Sequence, residues 1–240
     1  MYIKTNLHFH TKDDPRDNIS YSTIEGIDKA AALGFKALAL TCHTKYTWTP
    51  EYAAYAEKRD ITLIPGIESS IGETEEDGRH VVLLNCTPEA EKVRTFQDLE
   101  QYKKAYPQVF ILAPHPYFPN IGKPFSLMKY TDKYAHLFDA IEHSWFYSKY
   151  YNKNPLAAEA AKRHSIPLVS TSDTHFMNFF DTDYCVIEAE DRTPAAIFSA
   201  LRAGKFKNVT RPKRFLSEFF IPVAFHTFQD HVLHRKPSRK

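Results

Sequence analysis

The sequence lacks several features that would point to particular protein classes. It contains no P-loop, no GxGxxG segment and no CxxC pair, which argues against a nucleotide-cofactor fold and against a zinc ribbon. No apolar run approaches the length of about 18 residues that a membrane span requires. The net charge is only +2 over 240 residues, so the whole chain lacks the basic character expected of a nucleic-acid-binding protein.

Cysteine is scarce as well. The three cysteines, Cys42, Cys86 and Cys185, are widely spaced and odd in number, which predicts reduced thiols rather than a disulfide framework. The chain begins directly in a strand-like run, without the pattern of a signal peptide. We therefore expect a cytoplasmic protein.

Charge is distributed unevenly along the chain. Residues 211–240 contain seven Lys and Arg but only two acids, whereas residues 1–210 are net acidic. With 43% hydrophobic residues, the chain can bury a substantial core. The change in composition near Arg211 predicts a main domain over residues 1–210, followed by a basic, aromatic C-terminal tail over residues 211–240.

Short apolar runs alternate with helix-start signals. The runs are Phe35–Thr41, Thr62–Gly66, His80–Cys86, Val109–Ala113, Asp139–Ile141 and Leu168–Ser172. Helix starts are indicated at Ser22, Thr49-Pro50, Thr87-Pro88, Asn154-Pro155 and Thr193-Pro194. This alternation predicts an α/β fold with parallel strands, either closed into a barrel or open as a doubly wound sheet.

Six of the twelve histidines lie in short motifs at the ends of these predicted strands. The motifs are His8-Phe9-His10, Thr41-Cys42-His43, Gly66-Ile67-Glu68, Arg79-His80, Pro114-His115-Pro116 and Asp173-Thr174-His175. Imidazole and carboxylate together are ligands for Zn, Mn or Fe. Both α/β alternatives place ligand-binding groups at the carboxyl ends of their strands. The motifs therefore predict a multinuclear metal centre and a hydrolase.

The order of the motifs is distinctive. The series HxHT, T-x-H, G-I-E, a histidine before VVLL, PHP and SDTH resembles the polymerase-and-histidinol-phosphatase (PHP) superfamily of metal-dependent phosphoesterases over about residues 3–190. The resemblance implies a distorted (β/α)7 barrel with up to three Zn, Mn or Fe ions. It implies a first site of His8, His10, Glu68 and Asp173, a second of Glu68, His80 and His115, and a third that includes His43 and His175.

Two positions depart from the family pattern. The segment after HxHT lacks the usual Ser-Asp-Gly or histidine, so Asp17 is our first choice for the remaining third-site ligand and Asp14 the second. The usual Thr-Asp-His is Thr-Cys-His here, so position 42 offers no carboxylate to support His43.

The resemblance predicts a phosphoesterase that hydrolyses a small phosphomonoester with metal-activated water. The residues expected to act in catalysis are His43, His175 and Asp173, with Arg16, Lys45 and His143 as substrate contacts. The proline-rich segment Pro114–Tyr130 is expected to cover the site and to favour a compact substrate, so that nucleic acid would enter only as a short oligonucleotide. The alternatives are a phosphodiesterase or exonuclease on short nucleotides, and a non-catalytic metal-binding module.

Overall fold

The structure is a computed structural model that describes residues 1–74, 78–118, 125–214 and 217–218. The strands in this part of the chain are β1 (Tyr2–Phe9), β2 (Ala37–Leu40), β3 (Thr62–Ile71), β4 (Arg79–Leu84), β5 (Phe110–Ala113), β6 (Ala140–His143), β7 (Leu168–Ser170), β8 (Tyr184–Glu188) and β9 (Phe206–Val209). The α-helices are α1 (Thr23–Ala32), α2 (Pro50–Glu57), α3 (Phe96–Ala105), α4 (Lys129–Lys133), α5 (Asn154–His164) and α6 (Pro194–Arg202).

All of these strands form one sheet with the order β7-β6-β5-β4-β3-β2-β1-β8-β9. Strands β1 to β3 are parallel to one another, and so are β5 to β7. Strand β4 runs antiparallel to both of its neighbours, and β8 runs antiparallel to β1 and β9. The prediction of parallel pairing is therefore wrong for these strands. The chain between Ile71 and Arg79 is too short for the crossover of a dozen or more residues that a parallel β4 would need.

The sheet curls until its two edges nearly meet. Asn208 of β9 accepts a hydrogen bond from the Ser170 amide at 2.9 Å and donates one to the Leu168 carbonyl at 2.8 Å. Beyond β7, the Thr174 amide donates to the carbonyl of His8 on β1 at 3.3 Å. The prediction of a distorted barrel is confirmed, and the open-sheet alternative is wrong.

The barrel has a distinct interior and exterior. One buried apolar cluster combines side chains from strands β1 to β8 with helix α6; it includes Ile3, Leu7, Ala37, Ala39, Ile64, Val82, Leu84, Leu112, Ala140, Val169 and Phe198. Intervening residues such as Leu38, Ile67 and Ile141 pack in two other clusters with the surrounding helices. Because side chains alternate along a strand, this division shows which polar residues face inward.

A helical element begins at each of the five predicted starts, but the predicted capping hydrogen bond forms at only three of them. The side chains of Ser22, Thr49 and Thr193 accept hydrogen bonds from amides in the first turns of α1, α2 and α6. Thr87 precedes a short 3₁₀ turn and makes no such bond. Asn154 is the first residue of α5 rather than its cap, and its Oδ1 accepts the amide of Ser144.

The beginning of the predicted tail contacts the barrel. The Lys213 side chain is fully buried and forms an ion pair with Asp183. Its ammonium group lies within 5.7–5.9 Å of the ring centroids of Trp145, Tyr147 and Phe179. Residues 215–216 and 219–240 of the predicted tail lie outside the described residues. In the part of the chain that is described, no helix is long and apolar enough to cross a membrane.

Candidate metal centre

A register shift in β1 turns the first histidine pair into the barrel. Between Asn6 and Phe9, β1 advances by three residues while β2 advances by two. Asn6 pairs with Leu38, which faces the helices, so simple alternation would turn His8 outward. The extra residue, as in a β-bulge, changes the alternation: Phe9 faces outward, and His8 and His10 face the interior.

Simple alternation brings further polar groups inward from three other strands. Glu68 shares its face of β3 with Ile64, His80 shares its face of β4 with Val82, and Glu142 shares its face of β6 with Ala140. His80 stands at the beginning of its strand. Because β4 is antiparallel, that beginning lies at the same edge of the barrel as the carboxyl ends of the parallel strands.

Glu68 lies at the centre of the resulting cluster and is 1% exposed. Its Oε2 is 3.3 Å from Nε2 of His8, 3.3 Å from Nε2 of His10 and 2.9 Å from Nε2 of His43. Its Oε1 faces the other side, 2.9 Å from Nδ1 of His80 and 3.2 Å from Nε2 of His115. The two oxygens of one carboxylate thus face two different groups of histidines.

Asp173 and His175 complete the cluster from the chain after β7. Asp173 Oδ1 lies 3.5 Å from Nε2 of His8 and 3.3 Å from Nε2 of His10. Its other oxygen accepts a hydrogen bond from the Trp145 indole at 3.2 Å. His175 Nε2 lies 2.8 Å from Oδ2 of Asp17. The carboxylate of Asp17 is thereby directed toward the histidines.

Two of these residues have unusual backbone conformations. His115 has a φ of 27° and Asp173 a φ of 42°, in the left-handed region that side chains other than glycine rarely adopt. His115 lies two residues after the end of β5 and Asp173 three residues after the end of β7, at the rim of the barrel. Such conformations cost of order 1–3 kcal/mol each and tend to occur where function requires a fixed side-chain position.

Two more buried carboxylates contact the histidines from outside the central group. Oδ2 of Asp14 lies 2.9 Å from Nδ1 of His10 and 2.9 Å from Nδ1 of His43. Oε1 of Glu142 lies 3.0 Å from Nδ1 of His8, and its Oε2 accepts the backbone amide of His115 at 2.5 Å. Contacts of this kind fix ring orientation in metal sites.

The charges of the cluster are strongly coupled. Burial is the largest effect on the pKa of His8 and opposes protonation, but Asp173 and Glu68 outweigh it and raise the pKa to about 10. Burial likewise opposes protonation of His43, whose pKa Glu68 and Asp17 raise to about 10. The surrounding histidines in turn overcome the effect of burial on Glu68 and hold its pKa well below its ordinary value. The carboxylates therefore require positive charge, which either protons or metal ions can supply.

The donor atoms fit a metal centre. Within the described ranges, the buried atoms here that lack a hydrogen-bond partner include His8 Nε2, His10 Nε2, Glu68 Oε2, His80 Nδ1, His115 Nδ1 and Asp173 Oδ1. Unpaired polar atoms are costly in a protein interior. Sets of three residues that each offer a ligand atom within 4.8 Å of the others are His8–His10–Glu68, His10–His43–His175, His43–Glu68–His80 and Asp14–Asp17–His43. Imidazole and carboxylate donors in this arrangement suit transition metals.

The predicted substrate contacts lie outside this cluster. Arg16 and Lys45 are exposed and close in sequence to Asp17 and His43. His143 shares its face of β6 with the outward-facing Ile141, and its ring packs against Tyr147 at a centroid distance of 5.2 Å. Alternation along β6 therefore directs Glu142, rather than His143, toward the site.

The described ends of the proline-rich segment lie beside the site. The carbonyl of Phe125 accepts the His80 amide at 2.7 Å, and the Phe125 ring lies 5.5 Å from the His80 ring and 5.4 Å from the His115 ring. The helix α4 begins at Lys129, within the predicted loop. Residues 119–124 of the loop lie outside the described part of the chain.

Sequence reasoning missed three supporting residues. The motifs predict Asp14 only as the second choice for a third-site ligand, and they predict no role for Glu142 or Trp145. Glu142 follows Ala140 by two residues on β6, and this spacing places the two side chains on the same face of the strand. That spacing is the sequence signal for an inward-facing Glu142. The roles of Asp14 and Trp145 depend on loop conformation, for which the sequence carries no periodic pattern.

Comparisons with known proteins agree with this arrangement. The PHP domain family profile matches residues 6–195. Similar solved structures include a two-domain protein from Bacteroides vulgatus containing a predicted PHP-like metal-dependent phosphoesterase (19% identity, TM-score 0.65, covering 88% of this chain and 65% of that one). Others are PsfC from Pseudomonas syringae (14%, 0.57, covering 97% and 98%) and the lesion-specific endonuclease PfuEndoQ from Pyrococcus furiosus (16%, 0.62, covering 95% and 66%).

At these identities the solved structures show a shared fold. The chain spans 65% of the Bacteroides protein and 66% of the endonuclease, so each of those proteins contains further segments. Comparison with curated proteins gives no match. The family profile covers most of the chain and all six histidines of the cluster, and the chain therefore belongs to the PHP domain family.

Proposed function

We propose that this protein is a metal-dependent phosphoesterase that hydrolyses a small phosphomonoester. The observation that carries the proposal is the position of Glu68, whose two oxygens face two separate groups of imidazole nitrogens at 2.9–3.3 Å. A carboxylate in that position can bridge two cations. Zn, Mn or Fe ions at such a centre supply polarisation of a phosphoryl oxygen and a water acidic enough to form hydroxide near neutral pH.

The proposed ligand assignment follows the resemblance to the PHP superfamily. His8, His10, Glu68 and Asp173 are the proposed ligands of one ion, and Glu68, His80 and His115 those of a second. His43, His175 and Asp17 are the proposed ligands of a third. Asp17 is preferred to Asp14 because its Oδ2 lies 2.8 Å from Nε2 of His175, at the same side of the cluster as His43.

The protein's own side chains have separate roles in this proposal. His175 and His43 are the proposed general acids, and either one can protonate the leaving oxygen when it does not bind a metal. Arg16 and Lys45 supply positive charge for a phosphate dianion at the exposed mouth. Phe125, which packs on His80 and His115, restricts the space above the site and favours a compact substrate.

A nuclease acting on short oligonucleotides is the second candidate, because the fold resembles that of the endonuclease PfuEndoQ. A non-catalytic module is less well supported, since the set of ligand side chains is nearly complete. The net acidic character of residues 1–210 opposes binding of a long nucleic acid.

The test is a panel of phosphoesters assayed with protein purified without chelator. The panel contains an aryl phosphate, a mononucleotide and a short single-stranded oligonucleotide, each measured across a salt series, with Glu68→Gln as the inactive control. We expect turnover of the monoesters with weak salt dependence. Preferential cleavage of the oligonucleotide, lost with salt or when the chain ends before Arg235, would replace this proposal with the nuclease.

A further inference from the structure

Asp14 makes an unusual set of contacts for a candidate metal ligand. Its Oδ2 lies 2.9 Å from Nδ1 of His10 and 2.9 Å from Nδ1 of His43, and it accepts the backbone amide of His43 at 2.8 Å. Its Oδ1 accepts the amides of Arg16 at 2.8 Å and Asp17 at 3.2 Å. An ionised carboxylate offers about four lone-pair positions, and these five donors use all of them, with three donors sharing Oδ2.

The contacts of Asp14 determine which nitrogen of the His10 ring and of the His43 ring can bind a metal ion. A carboxylate can only accept, so both Nδ1 atoms carry a proton that they donate to Asp14. In a neutral imidazole the proton then lies on Nδ1, and Nε2 keeps its lone pair. The Nε2 atoms of His10 and His43 are the atoms that face Glu68 Oε2, at 3.3 and 2.9 Å.

We propose that Asp14 is a positioning residue, whose single oxygen Oδ2 fixes the tautomer and orientation of two histidines that bind different metal ions. The inference rests on the proposed function, since His10 belongs there to the first site and His43 to the third. It makes Asp14 a supporting carboxylate rather than a ligand, and it couples the two sites through one side chain.

This role accounts for the departure at position 42. Sγ of Cys42 lies 3.6 Å from the hydroxyl of Thr11 and packs in the apolar cluster outside the barrel, away from the His43 ring. The carboxylate that supports His43 comes instead from a residue four positions after His10. One acid on the loop after β1 therefore serves both histidines.

The test compares Asp14→Asn with Asp13→Asn, which removes the same charge one residue away. The Asp13 carboxylate accepts hydroxyl hydrogen bonds from Thr23 and Tyr52 and contacts no histidine in the described structure. Zinc binding by the metal-free proteins is measured by competition with a chelator. We expect Asp14→Asn to weaken binding at two sites by about 10- to 100-fold, the usual effect of losing such a partner, and Asp13→Asn to bind as wild type.

Asp17→Asn distinguishes support from direct ligation. That variant should lose one equivalent of zinc and retain the others at wild-type affinity. If Asp14→Asn behaves in the same way, with one equivalent lost and the rest unchanged, Asp14 is a third-site ligand and the inference is overturned. If Asp14→Asn binds zinc as wild type does, the inference is overturned as well.

A measurement on the wild-type protein covers the case in which Asp14→Asn does not fold. Nitrogen-15 NMR of the zinc-loaded protein, with resonances assigned by comparison with His43→Gln and His10→Gln, reports which nitrogen of each ring is protonated. We expect Nδ1–H for both His10 and His43, and Nε2–H in either ring would overturn the inference. A wild-type protein that binds no zinc would instead overturn the proposed function itself.

Discussion

Nδ1 of His80 lies 2.9 Å from Oε1 of Glu68, on the opposite oxygen from the one that faces His8, His10 and His43. Both side chains are held by strands of the same barrel, and they belong to adjacent antiparallel strands. The relationship makes Glu68 a carboxylate that the two sides of the cluster share, and its removal should affect both sides at once.

Glu68→Gln should therefore lower metal content at more than one site, whereas His43→Ala should affect a single site. Without the shared anion, two bound cations repel each other with no compensating charge between them. We expect turnover of an aryl phosphate to fall by more than about 100-fold, beyond the loss typical of a supporting partner. Elemental analysis and steady-state kinetics of both variants check this, and full metal and activity in Glu68→Gln would refute the bridging role.

Metal binding and pH should be linked through the histidines. The pKa of His8 and that of His43 are each raised to about 10 from an ordinary value of 6.5 in the absence of metal. Their stabilising contribution is fully present below pH 6.5 and is lost as pH rises through 10. The metal-free protein should therefore lose stability across that window, and apparent metal affinity should increase as protons leave.

Thermal unfolding with and without bound metal, followed from pH 6 to pH 10.5, measures this linkage. Ionisations of surface lysines and tyrosines are common to both forms, so the difference between the two curves isolates the cluster. We expect the gap in Tm to widen with rising pH. A gap that narrows over this range would contradict the assigned charge balance.

Glu142→Gln should weaken metal binding without abolishing the fold. Glu142 accepts from Nδ1 of His8 and from the His115 amide, so an amide in its place disturbs one ring and one backbone segment of the site. We expect about a 10- to 100-fold loss of metal affinity. Glu188→Gln, at an exposed position on β8, is the matched control. Equal zinc affinity in the two variants would exclude a supporting role for Glu142.

Lys213→Ala should destabilise the protein strongly. The ammonium and the Asp183 carboxylate are both buried, and removing one partner leaves the other as an uncompensated charge. Such a loss typically costs about 3–5 kcal/mol. The exposed Lys207 on β9 provides the control, where replacement by Ala should change the free energy of unfolding by less than about 0.5 kcal/mol. Urea denaturation of both variants tests this, and similar midpoints would show that the Lys213–Asp183 ion pair does not stabilise the barrel.

The sequence predicted the six histidines of the cluster together with Glu68 and Asp173, because strand ends in a barrel converge on one edge. It did not predict how they are directed inward. The face of His8 and His10 depends on the register shift between β1 and β2, and a shift of one residue leaves no mark in a pattern of apolar residues. His80 begins its strand, and it reaches the site because β4 runs antiparallel to its neighbours, which the sequence did not predict.

Other differences arise where local signals compete with tertiary contacts. Asn154 before a proline is a good helix start, yet its side chain binds the backbone of Ser144, and Lys153 takes the capping position. His143 and Glu142 are both polar residues at a strand end, and the strand's alternation separates them onto opposite faces. Such choices are settled by packing across the sheet, which a single sequence does not encode locally.

The central claim is that this barrel holds a multinuclear metal centre around Glu68. The most direct measurement is elemental analysis of protein purified without chelator, expressed as metal equivalents per chain. We predict at least two equivalents of transition metal, falling in Glu68→Gln. A protein that contains none, and that still binds none after incubation with Mn or Zn, would contradict the account.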